Sequence, residues 1–298
     1  MQMKTATTLD QQISLLRKRD VEIPDEDKAK ECLLDIGYYR LGSYLFPFEL
    51  SYPTHDERTH KCKQGTNLKD AVDLYYFDFD LRIILIRYIT RIEVAFRTYI
   101  TYKLSNKFLQ SPTWFVDPSV VNYRFIDDFP DIYNHINKKP VIKRHHSKYI
   151  NDKYAPAWKT LEYMTLGDMA SLYKNLKNID DKSEICQHFG VRQSRIFENY
   201  IETIRLVRNT CAHGGVLFDI KLSKRVRNGP AGTFTAVDKY KLSAALKIVK
   251  YLLNIVSINR RKDMDADIRM AFDSLYSKNM NLKSTVESTS GITNLFFD

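Results

Sequence analysis

Residues 67–108 read NLKDAVDLYYFDFDLRIILIRYITRIEVAFRTYITYKLSNKF, and their pattern fixes the class of structure. The apolar residues recur every three or four positions, as in a helix, rather than at every second position, as in a strand. Charged residues interrupt the most apolar part, namely Arg82, Arg87, Arg91, Glu93 and Arg97. The pattern therefore predicts one long helix, or a helix with a kink near residues 78–80, and no membrane span.

Helical spacing also predominates on both sides of this stretch. Thr7 and Thr8 are candidate caps for a short helix from Leu9, and Pro24 is a start signal for a second helix that stops at Gly37. Four further helical patterns cover residues 158–176, 192–213, 239–258 and 263–276. The predicted fold class is therefore all-α.

The chain divides into three predicted regions: an N-terminal helical region (1–66), a larger helical domain (67–277) and a flexible tail (278–298). The helical pattern weakens within about residues 117–155, where basic residues concentrate, so an insertion or a mobile arm is expected there. An aromatic-rich segment before residue 67 is expected to form a packed corner from Tyr38, Tyr39, Tyr44, Phe46 and Phe48.

Composition and charge narrow the class of function. Only 10 Gly and 9 Pro stand beside 19 Tyr and 16 Phe, which disfavours Gly-rich phosphate loops and nucleotide-binding α/β enzymes. Lys and Arg number 46 against 36 Asp and Glu, giving a net charge of +10 that would attract nucleic acid. The four cysteines lack a C-x-x-C spacing, so we expect a reducing cytoplasm, no metal site and no cofactor.

Arg208, Asn209 and His213 are the residues that could carry chemistry. In a straight helix, Asn209 and His213 share a face while Arg208 is rotated by roughly 140° from His213. Gly214 and Gly215 predict that the helix ends there, which frees His213 to turn toward Arg208.

These groups suit the cleavage of RNA without metal. A histidine can take the proton of a 2′-hydroxyl while an arginine neutralises the charge that develops on the phosphate. The alternative is a helix-terminal His213 that bonds the last carbonyls, with Arg208 as a solvated surface charge.

Four ordered stretches within residues 36–213 carry a resemblance to a known family. They are IGYYRLGSYLFPF (36–48), LYYFDFDLR (74–82) with IEVAFR (92–97), PAW (156–158) with LG (166–167), and RNTCAH (208–213). With these stretches the chain resembles the AbiD/AbiF-like abortive-infection protein family of bacteria, whose fold belongs to the HEPN superfamily.

The resemblance implies a HEPN-type helical bundle with an additional N-terminal helical region and a basic insertion. It also implies that Arg208, Asn209 and His213 form the R-N-x-x-x-H signature. HEPN nucleases usually combine two copies of this motif, and the chain has one, so the resemblance implies a homodimer. Some members of the family associate with a small non-coding RNA.

Glu93 and Arg97 match the family's E-x-x-x-R position. They form either an ordinary ion pair on a solvated face or a support for the Arg208 helix.

Basic residues outside this motif are the candidates for RNA binding. They are Lys138, Lys139, Lys143, Arg144, His145, His146, Lys148, Lys224, Arg225 and Arg227. Phosphate contact is the favoured interpretation, and a solvated loop is the alternative. A metal site at His145 and His146 is disfavoured because adjacent histidines point apart and no further ligands lie nearby in sequence.

Taken together, the sequence predicts a cytoplasmic anti-phage protein, of the toxin type, that acts as a metal-independent endoribonuclease on RNA. Its products would carry a 2′,3′-cyclic phosphate and a 5′-hydroxyl. The first alternative is a non-catalytic module that holds a small structured RNA. A second is nucleotide transfer, against which the absence of a Gly-rich phosphate loop argues.

Overall fold

The structure is a computed structural model that describes residues 5–54, 56–293 and 296. Thirteen α-helices and no β-sheet occur within these residues, where strand pairing is limited to isolated bridges. The helices are α1 (Leu9–Lys18), α2 (Glu26–Asp35), α3 (Tyr38–Leu45), α4 (Leu68–Lys107), α5 (Tyr123–Ile136), α6 (Pro140–Lys148), α7 (Ala157–Thr160), α8 (Leu166–Asn175), α9 (Ile179–His188), α10 (Ser194–Ala212), α11 (Leu242–Val256), α12 (Ile258–Lys278) and α13 (Leu282–Ser290). The predicted all-α class is confirmed.

Helix α4 is the central element of the fold. It runs for 40 residues without interruption, so of the two predicted possibilities the single long helix is correct. The side chain of Asn67 accepts a hydrogen bond from the backbone N–H of Lys69 and caps its start. At 1.5 Å per residue α4 is about 60 Å long. Helices α3, α10, α11 and α12 all pack against it.

The N-terminal helices begin where the sequence signals place them. Thr8 accepts a hydrogen bond from the backbone N–H of Gln11, and Asp25 accepts one from that of Lys28. Helix α2 ends just before Gly37, whose φ of 91° lies in the region that favours glycine. Gly37 thus separates α2 from α3, a helix that the sequence analysis assigned only as an aromatic corner.

That corner is packed, with one exception. Tyr44 and Phe46 are buried, and Tyr38 and Phe48 are half-buried. Tyr39 is 93% exposed, so its predicted place in the packed corner is wrong. The reason is helical geometry: α3 turns Leu41, Tyr44 and Leu45 toward the core and the side of Tyr39 toward solvent.

Of the two alternatives predicted for about residues 117–155, an insertion or a mobile arm, the mobile arm does not fit, because most of this region folds into the helices α5 and α6. Its apolar side chains lie on one face of each helix and are buried, namely Phe125, Phe129, Tyr133, Ile136 and Ile142. The dense basic residues obscured this stripe in the sequence, because they occupy the opposite, exposed face.

The predicted flexible tail (278–298) includes residues 294, 295, 297 and 298, which lie outside the described residues, and its described part contains a helix. Residues 282–290 form α13, in which Leu282 and Val286 are buried. The serine- and threonine-rich composition concealed this helix. In the structure these hydroxyls bond back to the helix, as when the Ser290 hydroxyl donates to the carbonyl of Val286 at 2.6 Å.

Candidate functional site

The predicted helix end after Arg208 is present in the structure. Helix α10 stops at Ala212, and the N–H of His213 donates to the carbonyl of Asn209 at 3.0 Å. Gly214 has a φ of 67°, and the N–H of Gly215 donates to the carbonyl of Thr210 at 2.9 Å. These bonds close the helix and leave the His213 side chain exposed at its end.

The His213 ring is free to act on a ligand. Within residues 5–54, 56–293 and 296, no side chain or carbonyl forms a hydrogen bond with it. The alternative interpretation, in which this ring bonds the last carbonyls of the helix, is therefore not what the described structure contains.

Arg208 is held from α4. Its Nε lies 3.7 Å from Oε2 of Glu93, and 33% of its side chain is exposed. Its Nη1 lies 3.5 Å from Oδ1 of Asn209, the next residue along the helix. The guanidinium is thus tethered on one side and open to solvent on the other.

Glu93 and Arg97 support this arrangement from within the core. Both are buried, and Nη2 of Arg97 donates to Oε1 of Glu93 at 3.0 Å and to the carbonyl of Met164 at 2.9 Å. Of the two predicted alternatives, the solvated ion pair does not fit. Glu93 connects α4 to Arg208, and Arg97 connects α4 to the turn before α8.

A buried group that the sequence analysis did not predict anchors the loop after His213. The carboxylate of Asp78 accepts hydrogen bonds from the backbone N–H groups of Leu217, at 3.0 Å, and Phe218, at 2.7 Å. The hydroxyl of Tyr44 donates to it at 2.9 Å, and Nη1 of Arg82 donates at 2.5 Å. We call Tyr44, Asp78 and Arg82 the Asp78 cluster.

Arg82 extends this anchor to the turn itself. Its Nη1 also donates to the carbonyl of Gly215 at 3.2 Å. Burial raises the pKa of the Asp78 carboxyl, while the charge of Arg82 and the donated N–H bonds act in the opposite direction. A usable signal was present in the sequence: Asp78 and Arg82 stand four apart at positions that align with the buried face of α4, alongside Leu74, Leu81 and Leu85.

Arg40 holds the same turn from the N-terminal region. Its Nη1 donates to the carbonyl of Gly214 at 2.7 Å, and its side chain is otherwise exposed. A Cβ at position 214 would lie 3.2 Å from that Nη1. Arg40, the Asp78 cluster and α10 thus meet at one point although they come from distant parts of the chain.

The predicted RNA-binding residues of the α5–α6 region divide into two groups. Five are exposed: Lys138, Lys139, Lys143, Arg144 and Lys148. His145 is 4% exposed and its Nε2 lies 3.0 Å from Oδ2 of Asp152, so the predicted surface contact with RNA does not fit its position. It lies one turn from the buried Ile142, on the inner face of α6. His146 is half-buried, with its Nε2 2.7 Å from the Tyr133 hydroxyl.

The second predicted basic group lies on a fixed loop. Lys224, Arg225 and Arg227 are all exposed. The side-chain amide of Asn199 on α10 donates to the carbonyl of Arg225 at 3.0 Å and accepts from the N–H of Arg227 at 2.8 Å. The loop therefore presents its cations from a backbone that α10 holds in place.

Two features are absent from the described residues: a cluster of metal ligands and a membrane-spanning helix. No group of three or more His, Cys, Asp or Glu side chains there is placed to hold a metal ion. No helix in the same part of the chain is long and apolar enough to span a bilayer. Asp78 and Asp80, two apart on α4, lie on different sides of the helix, one buried and the other exposed.

A comparison with known families identifies the family of this chain. Residues 31–219, more than half of the chain, match the family described as Abi-like protein, and the chain belongs to that family. The match includes Arg40, the Asp78 cluster, and Arg208 with His213. Membership indicates a role in abortive infection, a form of defence against phage. No curated protein matches the chain, and no solved structure does.

Proposed function

We propose that this protein is an RNA-binding abortive-infection protein of the HEPN type and a metal-independent endoribonuclease. The observation that carries the proposal is the exposed ring of His213, which has no hydrogen-bond partner among the described residues and follows directly into a turn that Arg40 and the Asp78 cluster hold. A histidine on an anchored turn at a helix end, five residues after a tethered arginine, suits chemistry on a phosphodiester.

In the proposed reaction His213 takes the proton of a ribose 2′-hydroxyl. The 2′ oxygen forms a bond to the adjacent phosphorus, and the bond from phosphorus to the 5′ oxygen breaks. The leaving 5′ oxygen takes up a proton from water and departs as a 5′-hydroxyl, while the other product keeps a 2′,3′-cyclic phosphate. This sequence of steps balances without a metal or a cofactor.

Arg208 is the proposed phosphate clamp. Its planar guanidinium can donate to two phosphate oxygens, and it stays charged throughout the reaction. Glu93 at its Nε and Asn209 at its Nη1 restrict its orientation, so Glu93, Arg97 and Asn209 act as positioning residues. The exposed part of Arg208 is the part available to RNA.

We further propose that the active form is a homodimer in the cytoplasm. The chain has one R-N-x-x-x-H motif, and the HEPN type of site takes one Arg and one His from each of two copies. Each protomer would then contribute Arg208 and His213 to a site shared across a two-fold axis.

A second candidate function is a non-catalytic module that holds a small structured RNA. The observation that favours it is the exposed basic face of α6, where Lys143, Arg144 and Lys148 lie on a folded helix pair. Such a surface suits the phosphate backbone of a folded RNA whether or not the protein cuts it. Nucleotide transfer gains no comparable support.

One incubation separates cutting from holding. Purified protein is mixed with RNA in the presence of EDTA, and the ends of any products are identified. The nuclease proposal expects fragments with 2′,3′-cyclic phosphate and 5′-hydroxyl ends. Intact RNA that stays bound to the protein would favour the binding module, and cleavage that stops in EDTA would contradict the metal-independent mechanism.

A further inference from the structure

A basic cleft lies between α8, α10 and the loop of residues 224–227. Its volume is about 390 Å³. Four of its lining side chains are cations, namely Lys174, Arg195, Lys224 and Arg227. None of these four forms an ion pair with a carboxylate in the part of the chain that the structure describes.

Both carboxylates that line the cleft already form ion pairs with cations. Oε1 of Glu198 lies 3.6 Å from Nζ of Lys182, and Glu202 forms two hydrogen bonds of 2.8 Å with Arg205. The cleft, within the described residues, therefore has four unpaired positive charges and no unpaired negative one.

The lowered pKa of Glu202 is consistent with an excess of positive charge in the cleft. The hydrogen bonds from Arg205 lower the pKa of its carboxyl, and the charges of Lys224 and Lys174 lower it further. Lys174, on α8, and Lys224, on the loop, thus lie on two different walls of the cleft and both affect Glu202. Both lysines are therefore close enough to Glu202 for their charges to act on the same carboxyl.

The cleft and the site at His213 lie along the same helix, α10. On α10, residues three or four positions apart share a face, and this face has Arg195, Glu198, Glu202, Arg205 and Asn209. Arg195 lies about 20 Å from Arg208 along the helix axis at 1.5 Å per residue. The face of α10 that lines the cleft therefore continues along the helix to Asn209, the residue after Arg208.

The walls of the cleft are fixed before any ligand binds. Asn199 holds the backbone of the 224–227 loop through its two hydrogen bonds. On α8, a Cβ at Gly167 would lie 3.5 Å from Cδ of Arg205, so the two helices are in contact at the end of the cleft nearer His213. The backbone that carries Lys224 and Arg227 therefore does not have to be ordered when a ligand binds.

We infer that this α8–α10 cleft binds the backbone of a single-stranded RNA segment that continues from the bond cleaved at His213. This inference rests on the proposed function, because it describes where the RNA substrate of that nuclease would lie on the protein. The volume is near the lower limit for ligand pockets, which suits a nucleotide of a single strand rather than a duplex. Unpaired Lys and Arg are the groups that follow a phosphate backbone without reading its sequence.

The test uses a labelled single-stranded RNA of about 12 nucleotides, within the range that such grooves cover. Its affinity is measured with the full chain carrying His213→Ala, so that the probe stays intact. Lys224→Glu with Arg227→Glu changes the loop wall. Lys262→Glu with Lys278→Glu, on exposed positions of α12 outside the cleft, makes the same change in net charge. Lys174→Gln with Arg195→Gln tests the opposite wall, and thermal unfolding shows that each variant is folded.

Both cleft variants should bind the probe at least tenfold more weakly than the α12 control. In each, the slope of log affinity against log salt should fall by about 1.4, since each phosphate of a single strand that a cation neutralises contributes about 0.7. Equal losses of affinity in the cleft and control variants would overturn the inference while leaving the nuclease untouched. A parent protein that binds in the cleft without cutting would overturn the nuclease and leave the cleft standing. A parent that does not bind the probe would overturn the cleft.

Discussion

Asp78 shows how one buried residue can control a site to which it does not belong. Its carboxylate receives four donors: two backbone N–H groups, the Tyr44 hydroxyl and the Arg82 guanidinium. A buried charge is tolerated only when it is paired and hydrogen-bonded in this way. Two of the donors belong to the loop after His213. The stability of the fold and the position of that loop therefore depend on the same hydrogen bonds.

We predict that Asp78→Asn lowers the free energy of unfolding by about 3–5 kcal/mol. The amide cannot neutralise Arg82, and its NH₂ group cannot accept from the N–H groups of Leu217 and Phe218. Urea denaturation measures the loss. RNA cleavage should fall as well, because the turn that holds His213 loses an anchor.

Asp80→Asn is the matched control. Asp80 lies two residues further along α4 and is exposed, so its change should stay within about 0.5 kcal/mol. Equal stability of the two variants would contradict the anchoring role of Asp78.

Helix α10 carries both the candidate site and a charged face. On that face, the ion pair of Glu202 and Arg205 makes the stability of the fold depend on pH. The hydrogen bonds from Arg205 lower the pKa of Glu202 in the folded protein. An acid whose pKa is lower in the folded state stabilises the fold above its unfolded pKa, near 4.3 for glutamate. That stabilisation is lost as the pH falls through the lower, folded value.

We therefore predict that Glu202→Gln loses stability relative to the parent at pH 7, and that the difference shrinks below about pH 4.3. Urea denaturation at a series of pH values measures it. Glu162→Gln, on an exposed position, is the control and should not change the pH profile. A constant difference between Glu202→Gln and the parent down to acid pH would exclude this ion pair as its source.

The helices differ in how well the sequence predicts them, and the reason is local. Start signals are read from neighbouring residues, so the start of α1 after Thr8 and that of α2 just after Pro24 are predicted from the sequence. Helix α13 has no such signal, because its serines and threonines suggest a coil until their hydroxyls find carbonyls within the helix.

The same distinction applies to the site. Arg208, Asn209 and His213 lie within one turn and a half of helix, so their sequence spacing is informative. Arg40 and Gly214 are 174 residues apart, and Asp78 and Phe218 are 140 apart. No periodicity connects such pairs, because their contact is made only when α3 and α10 pack on α4.

Across the whole molecule, the net charge of +10 predicts how binding responds to salt. If six or more phosphates are contacted, affinity for RNA should fall by about 10³-fold or more between 50 and 200 mM salt. Filter binding over a salt series measures this. Replacing Lys143, Arg144 and Lys148 by Gln should lower the slope by roughly one for each phosphate that is no longer neutralised. A salt response that is flat in the parent would contradict electrostatic binding.

A shared site makes a prediction about mixed dimers. If each site takes one Arg and one His from each protomer, a heterodimer with an Arg208→Ala, His213→Ala partner has an incomplete site. Activity should then fall below the value expected from dilution of the parent protein. Light scattering on the parent is the prior check, and a strict monomer that still cuts RNA would refute the shared site.

The most direct test compares single-turnover cleavage and RNA affinity in the parent, His213→Ala and Arg208→Ala. His213→Ala should lower the cleavage rate by about 10²-fold or more with nearly unchanged affinity, because a general base acts only in the chemical step. Arg208→Ala should lower both. His188→Ala, at another exposed histidine, is the control and should match the parent. Parent-level cleavage in His213→Ala would contradict the role of His213 as the general base. Equal loss of affinity in both site variants, without cutting in the parent, would contradict the nuclease.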